Sequence, residues 1–469
     1  MSQPSLPSPQ QQPTLHVDAE NSQQQSQPGP ALPPAPDDQP VLLFSIITSA
    51  APSDRIHQQL RSFAPKDVRE VVLASLLPDG QDPLTLLDIQ TNTLGILYIL
   101  SARLHTSTVP SPPLQYVAAF CRAFIPEQAR LAPDRVTLLA KGIPLLAEST
   151  GSLKLAIQPL FDLLVRYAPS LSHLTTIQPI FLKTCVSSRQ FVAALPVLEH
   201  PITTIDLSLS DLHYNDNLVY HYAGGMVYAA LKQWAEAEEL FEICACSPGP
   251  AAAGIQMEAL KKLILVQLIH RGKMIPPPKY IHPALPRLLK GTPYSQFVNA
   301  FPQQRAQLRS IVDAEQQLFM AEKTLGLVMQ ALDCAPRWSI RKLTATYLTL
   351  HLSDIGQAVG IESEDEVRAV ILDMIESSEI RAKLSADGTV SFSDPPVKFE
   401  KADVDRVLAR AQEQGALLSK LEKEMAKSKE YLVKAMKGRE DTTWGSSLED
   451  DVVDRAGVNL SWADDVSFT

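Results

Sequence analysis

A stretch near the middle of the chain, Leu218–Phe241, has the spacing of two closely packed antiparallel helices. Four residues mark it at separations of three, nine and four positions: Gly225, Tyr228, Ala237 and Phe241. The small residues let two helices approach each other, and the aromatic residues fill the seam between them, as in a tetratricopeptide-type (TPR-like) hairpin. Because one such hairpin cannot bury its apolar face alone, this spacing predicts a solenoid of stacked hairpins.

Apolar residues keep a helical spacing on both sides of this hairpin, without the alternation that is typical of strands. The apolar stretch Thr85–Leu104 has no proline and predicts a helix that is buried on nearly all sides. Aromatic residues make up only 6% of the chain, which favours helices over β-sandwiches. We therefore predict a mainly α fold: a right-handed solenoid with N-terminal repeats over residues 41–200 and TPR-like repeats over residues 201–335.

Residues 336–397 have the element order of a winged helix, which is helix, strand, helix, helix and β-hairpin. The pattern predicts a first helix at Ile340–Tyr347. Ser363 and Glu366 have the spacing of a capping box that opens the third helix. Asp387-Gly388 is a strong hairpin turn between the last two strands. Gly360 is the expected left-handed terminator of the second helix.

The charge of the third helix argues against nucleic acid as a ligand of this winged helix. The segment Glu362–Glu379 has seven acidic residues and one basic residue, Arg368, and the whole chain has a formal net charge of −10. A protein that binds in a DNA groove needs cationic side chains to neutralise the phosphates. We expect instead that the final strand offers its backbone to a neighbouring sheet by strand addition, with Val390 and Phe392 as partner-binding residues.

A long helix is predicted over residues 401–437. Positions three and four apart form a seam in which eight of ten residues are apolar: Val404, Val407, Ala411, Gln414, Leu418, Leu421, Met425, Ser428, Leu432 and Ala435. A lone helix that is polar on its other faces is marginal in water, so this seam predicts partner helices in a bundle. The alternative is a helix that folds back on its own solenoid. The residues expected to bind the partner helices are Val407, Leu418, Leu421, Met425 and Leu432.

Both ends of the chain have the composition of disordered segments. Residues 1–40 contain ten prolines and nine glutamines, with few apolar side chains to offset the entropy of ordering. Residues 438–469 form an acidic tail, in which Glu440–Thr469 has eight carboxylates and one arginine. No apolar run reaches the ~18 residues of a membrane span, so no membrane partner is expected.

Enzymatic motifs do not occur in this sequence. It has no H-E-x-x-H zinc motif, no G-x-S-x-G nucleophile elbow and no phosphate loop, and its five scattered cysteines include no CxxC pair. We therefore expect no catalytic residue, metal ligand or cofactor. A basic region with Lys261, Lys262, Arg271, Lys273 and Lys279 has two interpretations, a solvated face or a contact for an acidic partner.

A helical solenoid followed by a winged helix and a terminal helix resembles the PCI domain family. The resemblance is carried by Tyr220–Glu242, Met257–Lys273 with Pro278-Lys279-Tyr280, and three stretches of the winged helix: Leu343–Leu352, Met374–Ile380 and Asp387–Asp394. The family supplies subunits of the proteasome lid, the signalosome and translation initiation factor three, and these stretches resemble the signalosome subunits.

This resemblance implies a non-catalytic scaffold in a complex that removes a Nedd-type ubiquitin-like modifier from cullins. The expected partners are other PCI and MPN subunits, with cullin-RING ligases reached through the whole complex. The expected location is the cytoplasm and the nucleus. A scaffold subunit of the proteasome lid is the alternative, because it has the same architecture.

Overall fold

The computed structural model describes residues 39–106, 110–393 and 400–433, and they are mainly helical. They fall into two compact units. One unit contains the chain up to Ile380 together with Leu384–Ser391, and the other contains Arg381–Lys383 and the chain from Phe392 onwards. The predicted acidic tail and all but the last two residues of the predicted leader lie outside the described residues.

The N-terminal part is a series of short and medium helices. They are α1 Gln39–Ile47, α2 Ser53–Ser62, α3 Lys66–Ala74, α4 Pro83–Leu86, α5 Thr93–Arg103, α6 Leu114–Ala123, α7 Pro126–Ala129, α8 Pro133–Ser149, α9 Ile157–Tyr167, α10 Ile177–Ser187 and α11 Leu195–Leu198. Two 3-10 helices precede α9 and α11, at Leu153–Ala156 and Phe191–Ala194. Strands β1 His173–Leu174 and β2 Thr204–Ile205 form a short parallel pair. Helix α5 packs on α8, and α6 packs on α9, as in stacked hairpins.

The predicted helix Thr85–Leu104 is interrupted, because α4 ends at Leu86 and α5 begins only at Thr93. The cause is Asp88, whose carboxylate accepts the backbone N–H groups of Gln90 and Thr91 at 3.1 and 2.8 Å. Such a local side-chain turn competes with the helical hydrogen bonds. The expectation of all-round burial is confirmed for α5, in which every residue from Thr93 to Arg103 is buried.

A buried ion pair ties three of these helices together. Arg135 of α8 is buried and donates to both carboxylate oxygens of Glu70 on α3, at 2.7 and 2.6 Å. The same guanidinium lies over the ring of Tyr98 on α5, 4.4 Å from its centroid. Burial favours a raised pKa for Glu70, but the hydrogen bond and charge of Arg135 outweigh it and lower that pKa below its ordinary value.

The second half of the solenoid continues with longer helices. They are α12 Tyr214–Ala230, α13 Trp234–Cys246, α14 Gly254–Arg271, α15 Ala284–Lys290, α16 Pro293–Ala300, α17 Arg305–Ala314, α18 Gln316–Ala321 and α19 Leu325–Thr344. Helices α12, α13 and α14 pack side by side, and α14 packs on α19. The indole N–H of Trp338 on α19 donates to the carbonyl oxygen of Ile269 at 3.0 Å. One apolar core runs through the solenoid from Leu43 to Ala335.

The predicted hairpin is confirmed as α12 and α13. A Cβ atom placed on Gly225 would lie 2.7 Å from the ring of Phe241, so only glycine allows the observed approach of the two helices. Ala237 and Phe241 are fully buried on α13, and Tyr228 is buried on α12. The small and large residues therefore have the roles that their spacing predicts.

We expect Gly225→Ala to lower the free energy of unfolding by about 1–2 kcal/mol. The added methyl group would overlap the ring of Phe241, and overpacking costs more than the helix gains from alanine. Urea unfolding of the full chain measures the change. Gly326→Ala is the matched control, because no atom lies within 4 Å of its Cβ position in α19. Equal stability of both variants would contradict this account of the hairpin.

The winged helix follows α19 and has its own small core. Its elements are β3 Thr349–His351, α20 Leu352–Val359, α21 Glu364–Glu376, β4 Ala382–Leu384 and β5 Thr389–Phe392. The three strands have the order β3-β5-β4, and β3 pairs with β5 antiparallel, with Leu350 opposite Val390. Apolar residues of both helices and of β5 are buried, among them Ile355, Val367 and Ile371.

The start of the winged helix differs from the expectation. The predicted first helix Ile340–Tyr347 is the last part of α19, which begins at Leu325 and continues through Pro336. The predicted terminator is confirmed, since Gly360 has a φ of 73° at the end of α20. Half of the capping box is present: Ser363 accepts the N–H of Glu366 at 3.4 Å.

The second unit contains the last described helix, α22 Lys401–Lys427. It is shorter than predicted, because Ser428 has extended backbone and ends the helix. A further helical turn follows at residues 429–433. The predicted fold class is confirmed: a mainly α chain with helical repeats, a winged helix and a C-terminal helix.

Candidate protein-interaction surfaces

The strand β5, predicted to face a neighbour, is the central strand of its sheet. It pairs with β3 on one side and lies beside β4 on the other, so its backbone is not an open edge. Val390 is 0% exposed and Phe392 is 8% exposed, so both are core residues of this chain. The prediction of strand addition at Val390–Phe392 is therefore wrong in its choice of strand.

The strand order leaves β4 and β3 as the two edges of the sheet, and exposed apolar residues lie beside β3. Its outer neighbours in sequence are apolar and exposed: Leu348 is 80% exposed, and Tyr347 is about half exposed. An exposed strand edge with an apolar side chain beside it suits β-strand addition by a partner. The sequence contains this signal in the Tyr347-Leu348 pair, but only the strand order shows that the pair flanks an edge.

We expect Leu348→Asp to leave the fold intact and to weaken association at this edge by about tenfold. The side chain has almost no intrachain contacts to lose, whereas a carboxylate opposes burial in an interface. Circular dichroism checks the fold, and the incorporation of the variant into the native complex measures the association. Leu288→Asp is the control, since Leu288 is exposed on α15 away from the sheet. If the two variants assembled equally well, β3 would not be an interface.

Among the described residues, helix α22 presents the predicted seam to solvent, since none of its residues is buried. Leu418 is 58% exposed and Leu421 is 42% exposed. The other predicted binding residues on α22, Val407 and Met425, are exposed to a similar degree. An exposed apolar stripe formed by these four side chains is typical of protein interaction surfaces. That these residues bind partner helices stays a prediction.

The end of the predicted seam lies beyond α22. Leu432 belongs to the helical turn after Ser428 and is exposed. Its backbone N–H donates to the carbonyl oxygen of Ser428 at 3.0 Å. The seam position Ala435 lies outside the described residues. The break at Ser428 places Leu432 on a separate short segment, so its alignment with the α22 stripe is not fixed by one continuous helix.

The surface of α21 is acidic, as predicted. The helix has five carboxylates and one arginine, Arg368. Glu366 pairs with Arg305 of α17 at 3.5 Å, and Asp373 pairs with Arg337 of α19 at 2.7 Å. These pairs fix the winged helix to neighbouring helices of the same unit. The helix that would enter a DNA groove thus has five carboxylates for one cation, whereas phosphate contacts require cations.

The predicted basic region is not a free surface around Lys261 and Lys262. Both lysines are buried on α14. Lys261 Nζ pairs with Glu258 at 2.9 Å and with Glu322 of the α18–α19 turn at 2.6 Å, while Lys262 pairs with Glu258 at 3.2 Å. Burial would lower the pKa of Lys261, but these carboxylates raise it. The pair therefore stabilises the solenoid and cannot receive an acidic partner.

The nucleophilic side chains have the environment of core residues. Burial raises the pKa of the Cys244 thiol to about 12 and of Cys246 to about 11, so neither is a thiolate near neutral pH. Burial also lowers the pKa of His221. Within residues 39–106, 110–393 and 400–433, no group of three histidine, cysteine or acidic side chains could hold a metal ion. In the same part of the chain, no helix is long and apolar enough to cross a membrane.

Comparison with known proteins identifies the family. The model for the N-terminal helical repeats of COP9 signalosome complex subunit 3 matches residues 58–285, and the PCI domain model matches residues 311–394. A Drosophila melanogaster protein named COP9 signalosome complex subunit 3 is 30% identical over 386 residues, covering 76% of this chain and 86% of that protein. The chain belongs to the COP9 signalosome subunit 3 family. A family member of the same name from Dictyostelium discoideum is 28% identical over 383 residues, 78% of this chain and 90% of its own length.

The two family models cover one of the candidate surfaces and not the other. The PCI domain match contains the β3 edge and all of the winged helix, and it ends at residue 394. Helix α22 begins at Lys401 and lies outside both matched ranges. The helical repeats of residues 58–285 thus match the subunit 3 model and the sheet matches the PCI domain model, whereas the interpretation of the α22 seam depends on its own residues.

Proposed function

We propose that this chain is a non-catalytic scaffold subunit of a signalosome, the complex that removes a Nedd-type ubiquitin-like modifier from cullins. Its partners in this proposal are other PCI and MPN subunits, and cullin-RING ligases are reached through the whole complex. The proposal rests on membership of the subunit 3 family and on one structural observation, the apolar stripe of α22 that is exposed within its own unit.

The α22 stripe favours assembly through a helical bundle. An isolated helix of 27 residues gains little from its own hydrogen bonds, and most helical stability in proteins comes from packing of an apolar face. Leu418, Leu421 and Met425 leave such a face uncovered within their own unit. Burial of each large apolar side chain contributes about 1.5–3 kcal/mol, which favours docking of α22 against helices of other subunits.

The β3 edge supplies a second contact of a different kind. Main-chain hydrogen bonds to an added strand orient a neighbour, and Leu348 adds apolar contact at the same place. Two separate contacts on one chain hold a subunit in a larger assembly more firmly than either contact alone. This is the arrangement expected of a scaffold.

We place the isopeptidase chemistry in another subunit of the complex. The thiols with raised pKa values and the ion-paired lysines of α14 support a structural role for the reactive side chains of this chain. The proposed location is the cytoplasm and the nucleus, which fractionation of cells that express a tagged full chain would test.

Purification of the tagged full chain under native conditions tests the proposed function. We expect a large stoichiometric assembly that removes the Nedd-type modifier from a modified cullin. Co-purification with proteasome ATPases, without isopeptidase activity on cullins, would instead support a subunit of the proteasome lid. A free monomer would contradict both forms of the scaffold proposal.

A further inference from the structure

The connector between α14 and α15 displays a proline-rich motif on the surface. Residues 276–280 read Pro-Pro-Pro-Lys-Tyr, and Pro277-Pro278-Lys279-Tyr280 has the spacing Pro-Pro-x-Tyr. This spacing occurs nowhere else in the 469 residues. The segment forms neither helix nor strand before the turn at Lys279 and Tyr280. The packing of the solenoid and the winged helix does not explain why this motif is presented to solvent.

Contacts on both sides hold the motif in place. The backbone N–H of Ile275 donates to the side-chain oxygen of Gln267 on α14 at 3.0 Å. Ile281 is buried, and its N–H donates to the carbonyl oxygen of Pro278 at 3.1 Å. The residues between these anchors therefore form a short displayed segment on a rigid support.

The aromatic residue of the motif is unusually accessible. Tyr280 is 70% exposed, more than any other large aromatic side chain in the described part of the chain. Pro276 and Lys279 are also exposed, and Pro277 and Pro278 are half-buried. A tyrosine that is held on a rigid segment and contributes no burial to the fold is available to a partner.

Covalent geometry gives the segment most of its bound shape in advance. Each proline ring fixes φ near −65°, and a residue that precedes proline is restricted to extended backbone. Ile275, Pro276 and Pro277 all precede a proline, so this part of the connector is biased to polyproline II. A polyproline II helix has three residues per turn, so Pro277 and Tyr280 share one face once the turn at Lys279 and Tyr280 opens. A partner that reads this face pays little ordering entropy.

We propose that Pro277–Tyr280 is a docking motif for a WW-type domain, a small domain whose aromatic-lined groove accepts prolines and whose adjacent pocket accepts a tyrosine. The spacing distinguishes this partner from an SH3-type domain, which reads Pro-x-x-Pro. Three residues after Pro276 the chain has Lys279, so that spacing is absent from the connector. On docking, Pro277 and Pro278 lose their contacts with this chain and make contacts with the partner's groove. The turn at Pro278–Ile281 opens at the same time.

Binding of the full chain to a purified WW domain of the Pro-Pro-x-Tyr-binding class tests the proposal. We expect micromolar affinity by fluorescence anisotropy, within about tenfold of a free peptide of residues 272–284, since docking breaks one internal hydrogen bond. Tyr280→Ala is expected to weaken binding at least tenfold. Lys279→Ala and Tyr347→Ala are the controls. Lys279 occupies the variable position x of the Pro-Pro-x-Tyr motif, and Tyr347 is an exposed tyrosine outside the motif.

Three results would overturn the proposal. The first is no binding by the full chain when the free peptide binds, because the fold then hides the motif. The second is equal binding by the full chain and Tyr280→Ala. The third is loss of binding in Tyr347→Ala to the same extent. Circular dichroism of each variant checks its fold, and the exposure of Tyr280 leads us to expect an unchanged spectrum.

Discussion

The variant with Leu418→Asp and Leu421→Asp is expected to fold and to be excluded from the native complex. Both side chains are exposed in the chain, so their replacement removes no internal packing. In a bundle, the two leucines together contribute about 3–6 kcal/mol, which is at least ~100-fold in affinity, and buried carboxylates add a desolvation cost. Size-exclusion chromatography of the complex assembled with the variant measures its incorporation.

A matched control uses the opposite face of the same helix. Ala409 and Ala416 lie about 160–180° from Leu418 at 100° per residue, so Ala409→Asp with Ala416→Asp adds the same charge away from the seam. This variant is expected to assemble like the unmodified chain. If the seam variant assembled normally, or if both variants were excluded to the same extent, the seam would not be the surface that binds.

Glu70→Gln is expected to lower the free energy of unfolding by about 3 kcal/mol. Arg135 is buried, so loss of its charged partner leaves a buried cation without compensation, which typically costs about 3–5 kcal/mol. The lower end of that range applies because Glu70 keeps some contact with solvent. Urea unfolding of the full chain measures the effect. Glu148→Gln, at an exposed position of α8, is the control and is expected to change stability by less than about 0.5 kcal/mol.

The same pair predicts a pH dependence with a defined sign. Since the pKa of Glu70 is lower in the folded chain than its ordinary 4.5, its contribution is fully present above that value. It is lost as the pH falls from about 4.5 through the folded pKa, because protonation removes the charge that Arg135 needs. The stability difference between the unmodified chain and Glu70→Gln should therefore shrink in acid. A constant difference from pH 7 to pH 3 would contradict this role for the ion pair.

Local signals predicted the elements that depend on a few neighbouring residues. The small and large residues of the α12–α13 hairpin specify how closely two adjacent helices approach. The close approach of Gly225 to the ring of Phe241 confirms this prediction. The Asp387-Gly388 turn and the acidic third helix are likewise local, and both are present. The helical period of the α22 seam also needs no information from elsewhere in the chain.

Features that depend on distant residues could not be predicted in this way. The order of the three strands is set by pairing across the winged helix. The sequence pattern predicts strand addition at β5, whereas the structure has β3 at an edge. Lys261 looks like a surface cation in sequence, but its partner Glu322 is 61 residues away. The sequence pattern predicts a helix that begins at Ile340, whereas α19 packs on α14 and α17 and is one continuous helix from Leu325.

Hydrogen exchange of α22, compared between the free chain and the native complex, tests the central claim most directly. As an unpacked helix, α22 should exchange its amide protons rapidly in the free chain. We predict that exchange across residues 401–427 slows by at least 100-fold in the complex, while the buried α14 is protected in both states. Equally rapid exchange of α22 in the free chain and in the complex would contradict assembly through its seam.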